Sequence, residues 1–135
     1  LALRDSEEIR HQQKQMGNSL IQLLIDLGHP ISCDLKYCSW PVAWGCAGFF
    51  FQLSEIEVVE GYLYSWVANQ ISAGLRLIPL GPTEAQRMQF SLLPFIRAEA
   101  EKLLFSDPHQ LWTGDVGATM AQLSHPELYS RLFRS

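Results

Sequence analysis

The stretch "SEIEVVEGYLYSWVANQISAGLRLIPLGP", residues 54–82, decides the fold class. Its apolar residues Ile56, Val59, Leu63, Trp66, Val67, Ile71, Leu75 and Ile78 return at the spacing of an α-helix, not in the alternation of a strand. Ser54 with Glu57 three residues on forms a capping box that opens the helix. "PLGP", residues 79–82, ends it, because proline cannot continue a helix and biases the residue before it toward extended backbone. Apolar side chains cover much of the circumference, and Ala73 and Gly74 sit in the later turns. The helix is therefore expected to be the central one, surrounded by others.

Upstream, residues 5–27 place Ile9, Met16, Leu20, Leu23, Leu24 and Leu27 at helical spacing, with Glu8, Gln12, Gln15 and Gln22 on the other side. Gly28 and Pro30 supply the stop. "HPISCDLKYCS" is a connecting loop, and Ser39 before Trp40 and Pro41 is an N-cap leading into a short apolar helix. Gly45 and Gly48 within that helix would let another helix approach closely.

Downstream, Thr83 with Gln86 makes a second capping box. Met88, Leu92, Ile96, Glu99 and Leu103 follow on one helical path, which Pro94 is expected to bend. "SDPHQ" restarts the chain with a Ser or Asp cap. A weaker helical pattern then covers Val116, Met120 and Leu123, diluted by Gly114 and Gly117. There is no strand pattern of useful length, no repeat and no low-complexity tract. The expectation is a single all-α domain of five or so helices over residues 1–135.

Composition agrees with a folded chain. With 135 residues, 47% of them hydrophobic, a real core is expected, and four Trp, four Tyr and seven Phe argue against disorder. A net charge of −4 and a pI near 5.5 give no general attraction for nucleic acid or acidic lipid. The most apolar run, "WPVAWGCAGFFF", is twelve residues, well short of the roughly 20 that span a bilayer. The opening "LALRDSEEIR" has neither an initiator Met nor a signal-peptide pattern, as if cut from something longer. Three cysteines cannot all pair and no N-x-[ST] site is present, so a reducing, cytoplasmic setting is expected.

Catalytic signatures are missing. No Gly-Lys pair exists for a phosphate-binding loop, and H-E-x-x-H and G-x-S-x-G are absent. His29, Cys33, Cys38 and Cys46 fall within eighteen residues and offer metal ligands, but Cys33 and Cys38 stand in a loose C-x4-C with no second pair facing them. Burial in a core is the ordinary fate of such cysteines. Arg76 lies among apolar neighbours; its stem could run along such a surface, or its guanidinium could meet a partner. The tail "YSRLFRS" has the same two readings. Leu132 and Phe133 fold back onto the helices, or Tyr129, Arg131 and Arg134 belong to a surface that a partner buries.

"LRLIPLGPTEAQRM" followed by the closing "HPELYSRLFRS" resembles the urease accessory protein UreF family, whose members carry PLGQ-T-x-x-Q and end in H-E-x-x-Y-S-R-L-F-R-S. Residues 129–135 match that ending throughout. "LRDSEEIRHQQKQMGNSLIQLL" is similar to a family helix S-x-E-L-R-x-x-x-x-x-M-G-x-x-L, with Met16 and Gly17 in place. The family's amino-terminal segment, of the form S-P-x-L-P-x-G-x-F-x-Y-S, is not among these residues, so the chain is expected to be truncated at its start. The resemblance implies a compact all-α protein of about five to seven helices and no enzyme activity. It further implies a scaffold and regulator that binds UreD (UreH in some organisms) and recruits the GTPase UreG, so that nickel enters apo-urease. A homodimer is expected, with no stably bound cofactor.

Carried over by position, Tyr129, Arg131, Leu132, Phe133 and Arg134 are the expected partner-binding residues of a docking tail over residues 125–135, with Arg76 a further candidate. Arg131 is the strongest, since a guanidinium makes forked hydrogen bonds that Lys cannot copy. Pro79, Leu80, Gly81, Thr83 and Gln86 match the second motif, with a structural job first and a partner contact second. Pro82 replaces the usual Gln, and Pro126 the usual Glu, which removes a carboxylate and a backbone donor. The rival readings are a metallochaperone holding nickel through His29, Cys33 and Cys38, and a generic helical interaction domain.

Overall fold

The structure, a computed structural model, describes residues 7–29, 31, 38–107, 109, 120, 121 and 124. Among them are five α-helices and no strand: α1 (Glu7–Asp26), α2 (Trp40–Phe50), α3 (Glu55–Leu77), α4 (Pro82–Ser91) and α5 (Leu93–Leu104). The all-α class follows from the sequence as expected. The helices fall into two compact units, α1 with α2 and α3 with α4 and α5.

In the first unit, α1 stops where Gly28 turns left-handed at φ 86°. The His29 N–H donates to the Leu24 carbonyl at 3.0 Å and the Gly28 N–H to the Ile25 carbonyl at 2.9 Å. This double bond pattern is a Schellman motif, satisfying carbonyls the helix end would leave bare, and glycine adopts the required φ without a Cβ clash. The residues α1 buries are Gly17, Ile21 and Leu24, a stripe at i, i+4 and i+7. Leu23 and Leu27, expected on the apolar face, are instead 54% and 61% exposed. The reason lies at Gly17, where α2's approach fixes which side of α1 faces inward.

At Gly17 an added Cβ would stand 2.6 Å from the Ser39 carbonyl carbon and 2.7 Å from the Cys38 oxygen, so backbone lies directly on α1 there. Ser39 is the residue before α2, and its carbonyl accepts from the Ala43 N–H at 2.9 Å, as an N-cap should. Ile21, Cys38 and Ala43 are fully buried together, with Leu20, Ile31 and Cys46 packed around them. Of the two glycines expected to permit close approach, Gly48 is buried, whereas Gly45 has open space around it. Pairing of the two helices puts Gly17 at the contact and Gly45 on the exposed side, which no local pattern within α2 reveals.

In the second unit, α3 begins as expected. Glu57 accepts from the Ser54 N–H at 2.8 Å and from the Ser54 hydroxyl at 2.6 Å. The expected encasement of α3 does not occur: no residue of this helix is buried, and Trp66 is 59% exposed. Within its unit α4 and α5 pack on it, and two neighbouring helices cannot wrap an apolar circumference. The small core here comes from α4 and α5 instead, with Ala85, Gln89, Ile96 and Ala100 buried.

Two boundaries differ from expectation. The helix after α3 starts at Pro82 with Gly81 as its N-cap, so Thr83 lies inside the first turn and the Thr83–Gln86 capping box does not form. Proline at the first helical position needs no N–H and already has helical φ, which moves the N-cap two residues earlier, from Thr83 to Gly81. The following helix is not bent at Pro94 but interrupted before it, at Leu92. Pro94 cannot donate to the Phe90 carbonyl. The Leu92 N–H is shared between the Met88 and Gln89 carbonyls at 3.2 and 3.3 Å, a tightened last turn from which α5 restarts. No helix among the described residues is long and apolar enough to cross a membrane.

Candidate docking surface

The motif "PLGPT" covers the end of the connector from α3 to α4 and the first two residues of α4. Ile78 leaves α3 in an extended conformation, its N–H still donating to the Gly74 carbonyl at 2.9 Å. The Leu80 N–H turns back to the Ile78 carbonyl at 2.7 Å across Pro79, and the Gly81 carbonyl accepts from Ala85 at 3.1 Å. An added Cβ at Gly81 would meet only the Glu84 carboxylate, at 2.5 Å, the end of a flexible side chain. Leu80 and Gly81 are half-buried, whereas Pro79, Thr83 and Gln86 are exposed. Arg76, in the last turn of α3, is exposed too. A cation there complements the carbonyl end of the helix dipole.

A groove of about 400 Å³ runs between α3 and α5, lined by Glu57, Glu60, Gly61 and Tyr64 on one side and Leu93, Ile96 and Arg97 on the other. Both sets are stripes of helical period, so one face of each helix builds the groove. Arg97 joins its walls: Nη1 donates to Glu60 and Nε to Glu101, each at 2.8 Å. The Glu101 and Glu60 carboxylates raise the Arg97 pKa further above its ordinary value. The Ser54 hydroxyl and then its N–H hold the Glu57 carboxyl below the ordinary carboxylate range, with Arg97 adding a smaller pull against slight desolvation. The groove thus presents a defined shape and a guanidinium already paired with carboxylates.

Around these elements many large apolar side chains face solvent. On α4 and α5, Phe90 is 62% and Phe95 71% exposed, and Phe105 just beyond α5 is 92% exposed. Isolated exposed leucines are ordinary; three phenylalanine rings at such exposure on neighbouring elements are not.

Of the residues expected to bind partners, only Arg76 is described. Tyr129, Arg131, Leu132, Phe133 and Arg134 lie outside the described residues, as does Cys33. His29 sits at the end of α1 with its ring 3.9 Å from that of Phe50, while Cys38 is fully buried beside Ile21. Among the described residues no three His, Cys, Asp or Glu side chains gather as a metal site would require. Sequence reasoning missed Gln89, a polar residue 6% exposed, and Arg97. The signal for Gln89 was its place one turn after Ala85; for Arg97 it was the i,i+4 partner Glu101.

The model of the UreF family matches residues 1–93. Over the whole chain, the urease accessory protein UreF of Prochlorococcus marinus subsp. pastoris is 40% identical across 136 aligned residues. That of Synechocystis sp. is 37% identical with 99% of the chain covered, and that of Picosynechococcus sp. is 37% identical with 98% covered. The chain spans about 60% of the length of such relatives, 60% for the first and 59% for the second.

Proposed function

The chain belongs to the UreF family of urease accessory proteins, and from that premise we propose that it is a non-catalytic scaffold that binds UreD (UreH) and recruits the GTPase UreG to apo-urease. The observation that carries this reading is the pairing of family membership with exposed aromatic groups on α4 and α5, the kind of surface a partner buries. Nickel is the cargo of the assembly and not a resident of this chain. The nucleotide belongs to the partner, in keeping with a sequence that has no G-x-x-x-x-G-K-[ST] loop. The protein works in the cytoplasm as a homodimer, with residues 129–135 as its docking tail.

Co-purification tests this directly. The full chain should bring down UreD and UreG together, and the chain lacking residues 129–135 should lose them while keeping its helical content. Retention of both partners by the shortened chain would remove the tail from the interface. Stoichiometric, tight nickel binding by the isolated chain would favour the metallochaperone instead.

A further inference from the structure

We draw no further inference here: the strongest candidate, the apolar groove of about 460 Å³ that Met16, Leu20 and Leu23 of α1 form with Trp40 of α2, carries nothing because no feature of the structure shows what covers it.

Discussion

Gly17 and Ser39 meet backbone to backbone: a Cβ on Gly17 would lie 2.6 Å from the Ser39 carbonyl carbon, a distance real side chains do not tolerate. The atoms in the way are main chain at the start of α2, so they cannot rotate aside. The Met-Gly pair that resembles the family helix is thereby given a physical role, since α2 can seat on α1 only where a side chain is missing.

Gly17→Ala should therefore destabilise the protein by about 1–3 kcal/mol, the usual cost of overpacking, even though alanine is the better helix former. Gly45→Ala is the matched control. With open space around it, the same change on α2 should be neutral or stabilise by up to about 1 kcal/mol. Thermal unfolding of both variants checks the pair, and equal effects would contradict the close contact.

Ile21 and Leu27 are both apolar residues of the first helical segment, yet one is fully buried and the other 61% exposed. Ile21→Ala should cost about 2–5 kcal/mol, the lost transfer energy plus a cavity. Leu27→Ala should stay within about 0.5 kcal/mol. Denaturant titration separates them through the midpoint, and a Leu27 effect as large as that of Ile21 would mean the inward face of α1 is misassigned.

The Glu57 carboxyl, held low by Ser54, makes the start of α3 sensitive to acid. Its folded pKa lies below the unfolded value, so the unfolded chain takes up the proton first as pH falls. The stabilisation is present above the unfolded carboxylate pKa and is lost as pH drops through the folded one. Glu57→Gln should flatten that acid limb. A pH series of melting temperatures for both proteins would show it, and superimposable slopes would dismiss the cap as a pH-dependent element.

Arg97 ties α5 to α3 through Glu60 and to its own helix through Glu101. Because the guanidinium is more than half exposed, its loss should be small and should shrink as salt is added. Arg97→Lys should recover only part of the effect, since an ammonium lacks the planar fork that serves two carboxylates at once. A double-mutant cycle with Glu60→Gln at low and high ionic strength measures the coupling. A coupling indifferent to salt would point to packing of the Arg97 stem instead.

Residues 54–82 alone determined the helical class, because a 3.6-residue apolar period admits no strand, and local chemistry determined several ends: Gly28 stops α1, and Ser54 with Glu57 starts α3. Each of these depends on atoms a few residues apart, so the information is contiguous in the chain. Tertiary structure alone decided which side of α1 turns inward, that Gly17 and not Gly45 makes the close contact, and that polar Gln89 is buried while Trp66 is not. The same holds for the bridge from Arg97 to Glu60, which joins residues 37 apart. Periodicity gives a helix its apolar width but not its rotation, and rotation is fixed only by where another backbone comes to rest.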